Sequence, residues 1–345
     1  MTPEAAVDRL AAGRDLAESE MIAVMEAILT GRAAPAQVAA ILLGLREKGE
    51  AVAEMVGAAR ALRAYGIALP GAPAGAIDTC GTGGDGARTF NVSTAAALVV
   101  AASGVPVAKH GNRAASSSAG SADVLEELGV VIELDPPTLA RCLHEVGIAF
   151  LYAPAFHPTL RRVAAVRREL GVRTLFNVLG PLVNPAGVRR QVVGVGDPLL
   201  LEPVARVLGE LGSEHAWVVH GAGGLDELGL EGASEVVALS GGVTRRLRVH
   251  PADAGLEPSS HAALRVGSIA GSAARIRAVL AGERGPAHDV VVLNAAAALV
   301  VAGVAADLRE AAARAAATID SGEGARVLDR LVRFTRGARP AEVSG

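Results

Sequence analysis

Gly81-Thr82-Gly83-Gly84-Asp85, Asn91-Val92-Ser93-Thr94 and Lys109-His110-Gly111-Asn112-Arg113 fall in one short span, the length of a single strand–helix–strand unit. Neighbouring glycines let the backbone approach oxygen atoms closely and aim amide hydrogens at them. Asn91, Ser93 and Thr94 stand where the apolar segment Ala95–Ser103 begins as a helix. Their side chains and the free amides of that helix start make a second anion site. Lys109 then adds a full positive charge, with Arg113 and Ser116-Ser117-Ser118 close behind it. Two anion sites and a lysine point to a ligand carrying phosphates at both ends. Of the 33 lysines and arginines only Lys48 and Lys109 are lysine, so a lysine at 109 stands out against an arginine-rich background.

Around this span the chain alternates. Ala76–Thr79, Val105–Ala108, Ile148–Tyr152, Gln191–Val195 and Ala216–His220 read as short strands. Helical segments lie between them at Ala122–Leu128, Thr138–Val146 and Pro198–Leu211, and four more close the chain near 271–281, 286–304, 306–319 and 323–335. That alternation predicts an α/β fold with a mostly parallel central sheet covered by helices. Residues 1–70 differ: Ile22, Met25, Ile28 and Leu29 keep a helical face, Pro35 opens a second helix and Val52–Leu62 forms a third. A Pro70-Gly71-Ala72-Pro73 loop marks the change, so a small all-helical domain over 1–70 precedes an α/β domain over 75–345.

Bulk properties exclude several classes. The 345 residues carry a net charge of −3 and only one Trp, two Tyr and five Phe, so neither a basic field nor stacking platforms recruit nucleic acid. Cys80 and Cys142 lack metal-site spacing, which fits a reducing cytoplasm. Asp8, Arg9, Arg14, Asp15 and Glu18 interrupt the first twenty residues, so no secretory signal is expected. The apolar run Val290–Ala305 contains Asn294 and is shorter than the roughly 20 residues a membrane span needs. Gly81, Gly83 and Gly86 also satisfy G-x-G-x-x-G. However, the helix begins only near Ser93, and Lys109 stands where a dinucleotide site wants an acid, so that reading is set aside.

One acidic pair matters. Asp226-Glu227 follows Gly221-Ala222-Gly223-Gly224 at the end of an apolar strand, where α/β sites gather. The two carboxylates are suited to a hard cation shared with phosphate oxygens; solvated surface acids are the alternative reading.

In order and spacing these blocks resemble the anthranilate phosphoribosyltransferase family. The likeness continues through Arg46-Glu47-Lys48-Gly49-Glu50, Ala122-Asp123-Val124-Leu125-Glu126, His157-Pro158, Val166-Arg167-Arg168-Glu169-Leu170-Gly171, Phe176–Pro185, Leu225-Asp226-Glu227 and Asn294-Ala295-Ala296. The resemblance implies a fold of the nucleoside phosphorylase and phosphoribosyltransferase type. It also implies transfer of the 5-phosphoribosyl group from phosphoribosyl pyrophosphate to the amine of anthranilate in tryptophan biosynthesis, with Mg²⁺ and release of pyrophosphate.

By the same resemblance, Gly81, Gly84, Asp85 and Lys109 would hold the pyrophosphate side of the donor. Asn91, Val92, Ser93 and Thr94 would hold the ribose 5-phosphate region, with Thr89, Ser117 and Ser121 as further contacts. Lys109, Asp226 and Glu227 would be catalytic, and Ser93, Asp226 and Glu227 the metal's protein ligands. The acceptor would meet Gly81, His110, Asn112, His157 and Arg167. Arg167 suits a carboxylate, and its choice over Arg168 rests on the family pattern alone. No general base is assigned. Where the family often has a serine or threonine soon after the acid pair, this chain has Leu228-Gly229-Leu230. The segment 157–180 would pack on the N-terminal helices as a hinge. A homodimer paired through the helical domain is implied, while association with anthranilate synthase is not readable. Nucleoside phosphorylases share the fold, but the Lys109–Arg113 turn and the acid pair argue against them. Relatives that bind nucleic acid would show a basic surface, which the net charge argues against.

Overall fold

The computed structural model describes residues 1–114 and 119–338. Helices Pro3–Ala11, Glu18–Thr30, Pro35–Lys48 and Val52–Tyr65 form the N-terminal bundle. The first was not among the helices read from sequence. Its signal is Thr2-Pro3-Glu4: proline suits a first turn, and the Thr2 hydroxyl accepts the Ala5 N–H at 3.3 Å. A buried carboxylate ties the bundle together. Glu54 is fully buried and accepts hydrogen bonds from the Leu16 N–H (2.8 Å), the Ala51 N–H (2.7 Å) and Lys48 Nζ (2.9 Å). Lys48 also reaches Asp15 at 2.7 Å, so one of the two lysines is structural.

The second part is a seven-stranded sheet: β1 Ile77–Asp78, β2 Val107–Gly111, β3 Ile148–Tyr152, β4 Arg190–Gly194, β5 His215–His220, β6 Ser234–Ser240 and β7 Val243–Val249. Its spatial order is β3-β2-β1-β4-β5-β6-β7, parallel from β3 through β5 and antiparallel from there on. β6 and β7 were not read from sequence. β7 is the polar edge strand, with Arg245, Arg246 and Arg248 exposed, which blunts edge-to-edge pairing. The legible signal was Gly241-Gly242: both glycines have positive φ (57° and 82°), and Ser240 pairs with Val243 across a two-residue turn.

One face of the sheet is covered by the nearly all-apolar helices Val92–Ala102 and Pro286–Ala302. On the other face, Val193 and Val218 pack with helix Leu201–Glu210 and with Met21, Ile41 and Leu62 of the bundle in one continuous apolar cluster. Val163 and Val166 of helix Arg161–Leu170 join that cluster. Arg63 adds a polar tie, donating from Nε to the Leu182 carbonyl at 2.9 Å. The bundle is therefore seated against the face of the sheet that β4 and β5 present. Among the described residues no helix is long and apolar enough to cross a membrane.

Removing one partner of a buried ion pair strands the other. Glu54→Ala should therefore destabilise the bundle by about 3 kcal/mol in denaturant unfolding. A loss below about 1 kcal/mol, the range of an exposed pair, would contradict this role.

Candidate active site

β1 lies between β2 and β4, so successive strands are laid down in opposite directions on its two sides. A crevice at the carboxyl ends of the strands follows from that reversal, and it is where ligands bind in such sheets. Here β1 is only two residues long, and the glycine segment leaves it directly. Gly83, Gly84 and Gly86 take positive φ (68°, 81° and 71°), which glycine adopts without strain. The Thr82 N–H anchors the loop to the end of β4, donating to Gly194 O at 2.8 Å.

The acid pair reaches the same place from β5. A bridge between Gly221 and Leu225 turns the chain back, and Asn294 of helix Pro286–Ala302 clamps the residue after the pair. Asn294 Oδ1 accepts the Leu228 N–H (3.0 Å), and its Nδ2 donates to Leu228 O (2.9 Å) and Val290 O (2.9 Å). Asp226 Oδ2 accepts the Gly83 N–H at 2.8 Å, and Glu227 Oε1 accepts the Ser93 N–H at 2.9 Å. Asp85 Oδ2 accepts the Asp226 N–H at 3.4 Å. The acid loop also presses on β4: a Cβ at Gly194 would lie 1.5 Å from Asp226 O, so no side chain fits there.

Lys109 sits on β2, only 3% exposed. Its Nζ donates to Thr79 O (3.2 Å), Thr79 Oγ1 (3.4 Å) and Ser93 Oγ (3.4 Å). Among the described residues it has no ion-pair partner, and neither do Asp85, Asp226 and Glu227. Burial, and then the charge of Asp85, pushes the Asp226 carboxyl up to about 7. Burial, and then the charge of Asp226, pushes Glu227 well above the usual carboxylate range. The site therefore gathers three carboxyl groups and a buried ammonium about Ser93 and the glycine loop.

These groups line a cavity of about 540 Å³. Of the donor-side candidates, Gly81, Gly84, Asp85, Thr89, Asn91, Ser93, Lys109 and Ser121 face it. Val92 and Thr94 do not: both are buried in the first turn of helix Val92–Ala102, facing away from the cavity. Ser117 lies outside the described residues. Asn91 is committed within the protein, donating from Nδ2 to Ala119 O (3.1 Å) and accepting the Ser272 hydroxyl at Oδ1 (2.8 Å). On the acceptor side His110, Asn112, His157 and Arg167 all line the cavity. Arg167 lies over Phe176, 5.4 Å from the ring centroid, and burial holds its pKa below the usual guanidinium value. His110 and His157 meet edge to face at 5.6 Å, and His110 Nδ1 is 2.9 Å from Gly180 O. Burial, with His157 beside it, pulls His110 down to about 3, so it is neutral.

The sequence reading left several lining residues out of the site, among them Arg88, Arg173 and Phe176. Arg88 and Arg173 bring cations to the cavity, and Phe176 brings the ring under Arg167. Arg88 is the one non-glycine residue with positive φ (58°) among those described, a strained conformation that gathers at functional sites. Nothing in its local sequence announces that φ. Arg173 donates to Gly84 O at 3.5 Å, a contact made across 89 residues of chain.

A hard divalent cation fits this wall. Asp226, Glu227 and the Ser93 hydroxyl offer oxygen only, and the unpaired, repelling carboxylates gain from a positive charge. Among the described residues no cluster of three or more His, Cys, Asp or Glu side chains could enclose a metal by itself. That suits Mg²⁺, which binds through one or two carboxylates and keeps water or substrate phosphates for the rest of its shell.

Comparison with known proteins identifies the family. A family model for the helical bundle domain of a glycosyl transferase family matches residues 4–66. A second, for the a/b domain of that family, matches residues 74–325. The anthranilate phosphoribosyltransferase of Symbiobacterium thermophilum is 52% identical over 336 residues, 97% of this chain and 98% of that protein. The chain belongs to the anthranilate phosphoribosyltransferase family. Among solved structures of that family, the Thermus thermophilus enzyme is 44% identical with a TM-score of 0.91, covering 96% of this chain and 99% of that one. The Saccharomyces cerevisiae anthranilate phosphoribosyltransferase in complex with phosphoribosyl pyrophosphate and Mg is 25% identical with a TM-score of 0.89, covering 97% and 98%.

The raised carboxyl gives a pH test with a definite sign. Between 3.8 and about 7, folded Asp226 holds a proton that the unfolded chain has released, so its contribution to stability is lost as pH rises through that window. The melting temperature of Asp226→Asn, measured without metal, should therefore gain on the wild type as pH rises from about 4 to above 7. His110 contributes the opposite trend to both proteins and cancels in the difference. A constant difference across the window would contradict the assignment.

Proposed function

We propose that this chain transfers the 5-phosphoribosyl group of phosphoribosyl pyrophosphate to the amine of anthranilate, giving N-(5-phosphoribosyl)anthranilate and pyrophosphate. The observation that carries the reading is the meeting of the glycine loop, Lys109 and the acid pair in one cavity that Arg167 also lines. The two ends of that cavity suit two different substrates.

At the donor end, the loop amides and Lys109 bind pyrophosphate oxygens, and Thr89 and Ser121, which also line the cavity, hold the ribose phosphate. As the bond at the anomeric carbon loosens, negative charge grows on the leaving pyrophosphate. Lys109 is already fixed by Thr79 and Ser93, so it stabilises that charge without reorganising. Asp226, Glu227 and Ser93 would hold Mg²⁺, which when bound adds charge stabilisation to the departing pyrophosphate. At the acceptor end, Arg167 pairs with the anthranilate carboxylate, and the Phe176 ring keeps the guanidinium in place. Asn112, His110 and His157 line the approach of the aryl amine. That amine is neutral at pH 7, so its lone pair is ready to attack. Seating the helical bundle against the sheet excludes water from a donor that otherwise hydrolyses, with segment 157–180 as the hinge. We place the enzyme in the cytoplasm as a homodimer paired through the helical bundle, on the family resemblance.

Anthranilate is fluorescent, so its consumption can be followed directly. Loss of the signal should require both phosphoribosyl pyrophosphate and Mg²⁺. Phosphate-dependent cleavage of a nucleoside by the same preparation, with no loss of the signal, would favour a phosphorylase. In the fluorescence assay Arg167→Ala should raise KM for anthranilate roughly ten- to a hundredfold, the worth of one charged hydrogen-bonded pair, with KM for the donor little changed. Equal effects on both would remove Arg167 from the acceptor site.

A further inference from the structure

The end of β2 has an unusual problem. Lys109 and His110 lie on it, yet its neighbour β1 stops at Asp78 so that the glycine loop can leave. Pro106 O accepts the Ile77 N–H at 2.9 Å from the β1 side, while the Val107 N–H points the other way to Gly147 O. The alternation of a parallel ladder therefore turns the Ala108 carbonyl and the His110 N–H toward β1, just where β1 runs out. Left bare in the core, each would cost free energy comparable to a lost hydrogen bond.

Two buried side chains take the place of the missing strand. Asp78 Oδ1 accepts the His110 N–H at 3.2 Å, and Asn184 Nδ2 donates to Ala108 O at 2.8 Å. The same Asn184 Nδ2 donates to Asp78 Oδ2 at 2.8 Å, joining the two tethers, and Asn184 Oδ1 accepts the Ala186 N–H at 2.8 Å. Asp78 is fully buried and Asn184 nearly so; neither lines the cavity. Burial pushes Asp78 up to about 6, and the charge of Lys109 is foremost among the effects pulling it back. A buried carboxylate is costly, yet it accepts at both oxygens, from the His110 N–H and from Asn184 Nδ2, which an amide cannot do.

We propose that Asp78 and Asn184 are positioning residues for the transferase reaction. They replace the absent strand partner and hold the end of β2, so that Lys109 meets the leaving pyrophosphate and His110 meets the acceptor in fixed register. Neither touches substrate. The proposal rests on the function given above, because Lys109 and His110 matter only if they face these substrates.

The decisive variant is Asp78→Asn in the full chain. Asparagine keeps the volume and an oxygen for the His110 N–H, but its amide then faces the Asn184 amide, donor against donor. Misplacing the leaving-group lysine should lower kcat roughly ten- to a hundredfold. KM for anthranilate should rise only a few fold, far less than in Arg167→Ala, since His110 shifts while Arg167 is untouched. The melting temperature should fall by only a few degrees, because removal of the buried charge offsets much of the lost hydrogen bond. Amide hydrogen exchange at Lys109 and His110 should accelerate while that of β4 and β5 does not. Asn184→Ser, which keeps a hydroxyl donor, should show the same pattern more weakly. Wild-type kcat together with unchanged exchange at β2 would overturn the proposal. So would a loss of activity matched by a fall in the folded fraction, the signature of a purely structural role. A wild-type chain that does not turn over these substrates would instead sink the function. It would take the alignment role with it, leaving exchange to decide whether the tether itself exists.

Discussion

Two hydrogen bonds organise the site. The N–H of Gly83 reaches Asp226 and the N–H of Ser93 reaches Glu227, joining segments 143 and 134 residues apart in sequence. Each bond sets an amide that suits a phosphate against a carboxylate that suits a metal. Everything around them serves that meeting. β1 is cut short to free the glycine loop, the Gly221–Leu225 turn brings the acids back over the sheet, and Gly194 gives up its side chain so the acid loop can touch β4. Asn294 holds the acid loop from behind.

The arrangement is electrostatically expensive and is explained by what it binds. Among the described residues, three carboxylates without ion-pair partners share one cavity with a lysine that is itself buried. In a structure selected for stability alone such groups would be paired or replaced. On the proposed function, a pyrophosphate with a divalent cation would supply both missing charges, the cation to the acids and the anion to Lys109 and the loop amides. Charge complementarity is then completed by the substrate rather than by the fold, so the electrostatic gain appears on binding and grows as the leaving group departs.

Much of this was legible in the sequence because it depends on short local patterns. Glycine runs, the Asn91–Thr94 helix start and the lysine turn each state their chemistry within a few residues, and β3 appeared with its observed bounds. The parts that escaped depend on long-range packing. The β6–β7 hairpin was hidden because its outer strand is an arginine-bearing edge, although Gly241-Gly242 marked the turn. Val92 and Thr94 belong to the right motif, yet the first turn of their helix faces them into the core, an orientation set by packing. Asp78 and Asn184 look like ordinary polar residues in sequence, and their part emerges only once β1 is seen to end early. Arg88 and Arg173 reach the cavity through a strained φ and an 89-residue contact, neither of which has a local signature.

The central claim is that donor and metal complete one another against the acid pair. Calorimetric titration of phosphoribosyl pyrophosphate into the chain, with Mg²⁺ and with a chelator, tests it most directly. The account predicts one donor bound per chain, with affinity at least roughly tenfold higher with Mg²⁺ and that gain abolished in Asp226→Ala/Glu227→Ala, as expected when two buried carboxylates carry the cation. Equal donor affinity with and without metal, or a metal gain that survives in the double variant, would contradict it.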